Sequence, residues 1–214
     1  MLKMTKLWAV LLVGMMVFVG CKGKSKKRSS SDDDERTPTK KAETPKEAAI
    51  AFTKAIAKGD KEQYMAMIAT KDEELAGAVF DAVSASRSFA DAFVAKYGDA
   101  HSDVISNLRM AKEIPTPEEV KDKGEVTEEG DKAKVKVPGK GEDGLDLIKK
   151  DGVWLVDLDK DMPKGEEKET VLKQCKAMAT VTPKVKALIG KEGYDADKIM
   201  AELDKRLKEY TGQE

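Results

Sequence analysis

Asp157-x-Asp159-x-Asp161 is the densest set of potential ligands in the chain, and its spacing suits calcium. Counting Asp157 as position one, a calcium loop of that kind needs glycine at position six and a bidentate glutamate at position twelve. Met162 and Lys168 stand there instead, so the run reads as a strand end entering a solvated acidic turn. His101 is the only histidine. A general base needs an orienting partner and a nucleophile in reach, and the sequence neighbours Ser102 and Asp103 establish neither. Cys175 falls on an apolar helical stripe between Leu172 and Met178, where a thiol acts as a small buried hydrophobe. A reactive thiol wants a positive, partly exposed setting. An isomerase-type site needs a carboxyl group held in an apolar pocket with a Tyr or a protonated acid as oxyanion donor. Tyr64, Tyr97, Asp81 and Asp91 are of the right types, but no motif pairs them. Tyr64, Phe80, Phe93 and Trp154 are the candidates for lining an apolar ligand pocket, although aromatics at helical or strand spacing more often form core. No catalytic residue, metal site or cofactor is expected.

The other cysteine, Cys21, ends a leader. Lys3 and Lys6 precede an uncharged run from Leu7 to Val19, shorter than the roughly twenty residues of a membrane span and typical of a secretory signal. Phe18-Val19-Gly20-Cys21 resembles the bacterial lipobox, matching it at Gly20 and Cys21 and more loosely at Phe18 and Val19. The resemblance implies cleavage before Cys21, with residues 1–20 as signal peptide, and acylation of Cys21. It implies a place in the cell envelope on the extracytoplasmic side, Lys22 favouring the outer over the inner membrane if the organism has one. Several acyl chains, at about 0.8 kcal/mol per buried CH₂, make such an anchor effectively permanent.

The formal net charge is −1, and the leader contributes cations only, so nothing supports nucleic-acid binding. With Cys21 acylated, Cys175 has no intramolecular disulfide partner, and stability must come from a packed core. Residues 22–43 hold no large apolar side chain. Lys22, Lys24, Lys26, Lys27 and Arg28 come first, then serines, then Asp32 to Glu35. Such a segment is expected to be a disordered polar tether behind the lipid, averaging about 25 Å end to end by flexible-chain scaling.

Order is expected from Thr44-Pro45-Lys46-Glu47, which has the capping threonine, first-turn proline and glutamate of a capping box. Ala49, Phe52 and Ile56 share one face of that helix, which Gly59 stops. Asp60 and Gln63 start another helix carrying Tyr64, Met67 and Ile68. A longer helix runs through Leu75, Val79, Val83, Phe89, Phe93 and Tyr97 to Gly98. Residues 100–121 read as irregular with short helical pieces. The period then changes to two: Glu125–Thr127, then Ala133, Val135 and Val137 between lysines, then Leu145 and Leu147. Asp151-Gly152 makes a hairpin turn into Val153-Trp154-Leu155-Val156, apolar on both faces. The helices beyond Pro163 are the expected cover for the second face of the sheet, a dimer partner being the other candidate. They carry Val171, Leu172, Cys175 and Met178; a short helix starting at Thr182-Pro183; and, after Asp195, Ile199, Leu203, Leu207 and Tyr210.

Helices followed by a meander ending in Asp151-Gly152-Val153-Trp154 are similar to the NTF2-like (cystatin-like α+β cone) superfamily over residues 44–160. The opening Thr44–Ala49 helix with its Lys58-Gly59-Asp60 break, and Gly130-Asp131-Lys132-Ala133-Lys134-Val135, carry the same likeness. The resemblance implies an α+β fold with N-terminal helices packed on a curved antiparallel sheet, to which residues 161–214 add a C-terminal helical extension. Members include isomerase- and cyclase-type enzymes and non-catalytic modules, so fold alone does not choose. The expected function is a lipid-anchored binding or interaction module, monomeric or homodimeric, taking a small apolar ligand or an envelope protein. An NTF2-like enzyme and a purely structural envelope lipoprotein are the alternatives.

Overall fold

The computed structural model describes residues 42–108, 114–140, 144–160 and 162–212. Phe18, Val19, Gly20, Cys21 and the tether up to residue 41 lie outside them. Among the described residues the chain is α+β, with seven helices and a five-stranded sheet. Helix α1 (Pro45–Lys58) begins with the expected capping box, Thr44 and Glu47 each bonding the other's backbone, and ends at Gly59 with φ 69°. Asp60 caps α2 (Lys61–Ala66), whose last turn runs into the two-residue strand β1 (Ile68–Ala69). Asp72 caps α3 (Glu73–Tyr97), the longest helix. Helices α4 (Ser102–Leu108) and α5 (Pro117–Lys123) follow, the latter with a second capping box from Thr116 and Glu119.

Strands β2 (Glu125–Glu129), β3 (Lys132–Lys136), β4 (Leu145–Lys150) and β5 (Val153–Asp157) form the meander. The sheet order is β1-β5-β4-β3-β2, antiparallel except that β1 lies parallel to β5. Positive φ at Asp151 (52°) and Gly152 (77°) gives the hairpin turn that matches strand twist. The outer edge of β5 is closed along its length. Trp154, Val156 and Leu158 donate their N–H groups to the carbonyls of Ala42, Met67 and Ala69, at 3.1, 2.9 and 3.1 Å. Ala42, ahead of the helix cap and expected in the tether, is buried against the sheet.

Two more helices complete the chain, α6 (Glu166–Lys186) and α7 (Ala196–Thr211). Lys168 pairs with Asp72, Lys176 with Glu74, and Lys186 donates to Ser88. The partners ascend together, so α6 runs alongside α3 in the same direction, with the sheet inside the connection between them. Helix α7 returns antiparallel, Lys173 of α6 reaching the carbonyl of Thr211 at its far end. The expected break at Thr182-Pro183 does not occur, since Pro183 lies inside α6. An interior proline costs about 3 kcal/mol. Burial of the apolar Val181 and Val185 on either side of it works against that cost here. Tyr210 faces solvent rather than the stripe of Ile199, Leu203 and Leu207, which Thr211 continues.

The interior has two parts. In the first, α1 packs on one face of the sheet, with Phe52, Ile56, Tyr64, Phe80 and Val120 meeting Ala133, Val135, Leu147, Trp154 and Val156. In the second, α3, α4, α6 and α7 gather Leu75, Phe89, Phe93 and Ile105 with Val171, Cys175, Val185, Ile199 and Leu203. Helix α3 serves both, turning Ala76, Phe80 and Val83 to one and Leu75, Ala82, Phe89 and Phe93 to the other. The C-terminal helices thus cover α3 and not the second face of the sheet. The reason lies in α3, which is apolar on two faces and leaves the second unburied unless α6 and α7 occupy it.

Candidate functional site

The residues with chemical potential are spread over the molecule. His101 holds a left-handed backbone conformation (φ 54°) between α3 and α4. Its Nε2 lies 2.7 Å from Asp197 Oδ1 on α7, with its ring edge-on to Phe93. Its partner is a carboxylate from the far end of the chain, and the contact fastens α7 to the α3–α4 corner. Tyr97 is engaged likewise: its hydroxyl donates to the Tyr194 carbonyl at 2.8 Å and accepts from Gly190 N–H at 3.3 Å. Asp81 pairs with Lys61 at 2.7 Å on the surface. Asp91 lies on the same helix, α3, and makes an interaction of its own. These placements bring neither carboxylate into an apolar pocket facing a tyrosine.

Asp157 accepts from Asp159 N–H, and Asp159 from Lys71 N–H at 2.7 Å, so these two carboxylates fold the strand end back towards the start of α3. Asp161 lies outside the described residues. Among the described residues no group of three His, Cys, Asp or Glu is placed to hold a metal. Cys175 is fully buried, and burial pushes its thiol up to about 12. A thiol so placed is not a nucleophile at neutral pH.

Of the four candidate pocket residues, the structure brings three together. Tyr64 stacks obliquely on Phe80 at 4.8 Å, and both share the first core with Trp154. Phe93 belongs to the second, against Phe89 and Tyr97 at 5.9 and 5.0 Å. Phe52, 5.3 Å from Tyr64, completes the first aromatic group; as one apolar position on α1 it carried no separate signal in sequence. Desolvation raises the Tyr64 hydroxyl far above its usual range, with the Cys175 thiol adding to it, so Tyr64 stays neutral. Trp154 is capped by the Lys149 ammonium, 5.5 Å from its ring.

The other face of the sheet has a different character. Leu155 stands opposite Ile148 in the register, and Val153 shares their side of the pleat. All three are half-buried, and none belongs to either core. On the same face Asp146 is bridged by Lys134 and Lys160 at 3.1 and 3.0 Å, with Lys132 opposite Ile148. The result is a small apolar centre within a rim of both charge signs, the composition of a protein contact surface. Its signal in sequence was the unbroken apolar run of β5, which demands a neighbour on each side of the sheet.

No helix among the described residues is long and apolar enough to cross a membrane. Compared with known proteins, the chain matches no family model, no curated protein and no solved structure.

Proposed function

We propose that this protein is a lipid-anchored, extracytoplasmic interaction module that works through the outer face of its sheet. The observation carrying this reading is the half-buried Ile148, Val153 and Leu155, outside both cores and rimmed by charge. The aromatic candidates are engaged in packing, which favours a protein partner over a small apolar ligand. Asp81 is paired with Lys61 at the surface and Asp91 is exposed, while Tyr64 is buried in the first core, which favours a non-catalytic role. Anchoring rests on Phe18-Val19-Gly20-Cys21 behind the charged leader. Kinship with NTF2-like proteins is supported by helices preceding a meander that ends at Val153–Trp154. The helix cradled by the sheet here is α1, while the longest helix also builds a second core.

The test places a photo-reactive residue at Leu155 in cells, and at the exposed Tyr210 as control. A discrete adduct at 155 alone, whether with an envelope protein or a second copy, is the expected outcome. Equal or absent crosslinking at the two positions would sink the reading. Separately, Cys21→Ser should remove the acyl mass and release the chain from membranes; retained acylation overturns the anchor.

A further inference from the structure

The two edges of the sheet are treated differently. The outer side of β5 is covered by Ala42 and the short end strand β1, whose segment supplies the other two of three successive backbone acceptors. That of β2 has no neighbouring strand among the described residues, and all five of its residues are exposed, Val126 at 41% included. An open edge is a template for another strand, and the charges on β2 specify which kind. Glu125, Thr127 and Glu129 face the same side as Lys136, Lys134 and Lys132, their register partners on β3. The sheet thus ends on an acidic rung laid beside a basic one, and the next rung is electrostatically suited when it is basic again. A second copy's β2 is unsuited: paired antiparallel about Thr127, it would set Glu125 against Glu129 twice.

We propose that residues 22–28 of this same chain add to β2 as a further strand. The segment reads Lys22-Gly23-Lys24-Ser25-Lys26-Lys27-Arg28, so Lys22, Lys24, Lys26 and Arg28 recur at every second position. That is the strand period, and it repeats the alternation of Lys132, Lys134 and Lys136. Lys27 falls on the opposite side, where β2 presents Glu128. The reach is sufficient: Ala42 is held at the far edge, about 24 Å from a strand added beyond β2 at the usual spacing. The fourteen residues from there back to Arg28 span up to about 46 Å. Docking would draw the β2 edge towards the lipid on Cys21, in the anchored form proposed above, and shorten the free tether.

The experiment uses the full chain in neutral detergent, both wild type and Cys21→Ser, so that its result does not depend on the anchor. Carbodiimide coupling is expected to join lysines of 22–27 to Glu125, Glu128 or Glu129 within one chain, judged by mixing isotopically heavy and light protein. Amide exchange in residues 22–28 is expected to slow by about tenfold. Glu125→Lys/Glu129→Lys, both on the exposed strand, should return it to the free rate with the circular dichroism unchanged. Free-rate exchange in the wild type overturns the proposal. So do links scattered over surface acids such as Glu167 and Glu192, or links only between chains, which would assign the edge to a second copy.

Discussion

Asp72 does two things with one carboxylate. Oδ1 accepts the Leu75 N–H at 3.1 Å and caps α3, while Oδ2 takes the Lys168 ammonium from the start of α6. The Lys168 hydrogen bond, helped by the Leu75 N–H and opposed by partial desolvation, holds the Asp72 pKa below the usual carboxylate range. The folded-state value is therefore lower than the unfolded one. The stabilisation is complete above the unfolded value, about 4, and is lost as pH falls through the folded value. In urea unfolding, the wild-type midpoint should drop on acidification below about pH 4, and Asp72→Asn should flatten part of that drop. At neutral pH Asp72→Ala should cost about 1 kcal/mol, mostly for the cap, because the ion pair is partly exposed and solvent-screened. The capping role is legible locally, as an aspartate three residues before Leu75 at the head of an apolar run. The partner on α6 is not, since only the parallel alignment of α3 and α6 brings Lys168 there.

Helix α6 shows packing outweighing propensity. Pro183 lies within it, and two side-chain atoms facing the interior, Gln174 Oε1 and Thr182 Oγ1, have no hydrogen-bond partner among the described residues. An unmet buried polar group costs about 1–3 kcal/mol. Thr182→Val keeps the shape and removes the oxygen, so it should raise the unfolding free energy by about 1 kcal/mol in urea. A loss of stability would show that the hydroxyl has a partner. From sequence, Thr182-Pro183 has the form of a helix start. It is overruled because α3 and α7 bury the residues on both sides of it, an influence no local window contains.

At the scale of the molecule, α3 couples the two cores. The sequence boundary at residue 160 separates the sheet from the C-terminal helices, yet α3 lies before that boundary and supplies Leu75, Phe89 and Phe93 to the core beyond it. A chain ending at Lys160 would leave those side chains in water, each worth about 1.5–3 kcal/mol of burial. It is expected to aggregate or to lose cooperative unfolding, as measured by sedimentation and circular dichroism. A monomeric fragment with a sharp transition would show that the first core stands alone.

The sequence alone determined the capped helix starts at Thr44, Asp60, Thr116 and Asp195, the Asp151-Gly152 turn, and the mixed helix-and-strand class. Each depends on contacts within a few residues, where capping geometry, φ preference and side-chain period act directly. Tertiary structure decided that α6 and α7 cover α3 rather than the sheet, that Phe93 parts company with Tyr64, Phe80 and Trp154, and that no other element among the described residues covers the outer face of the sheet or pairs with the free edge of β2. Periodicity says that a residue needs burial. Which surface buries it is settled by competition among all the apolar faces of the chain, and here the second face of α3 won the helices that the outer face of β5 also required.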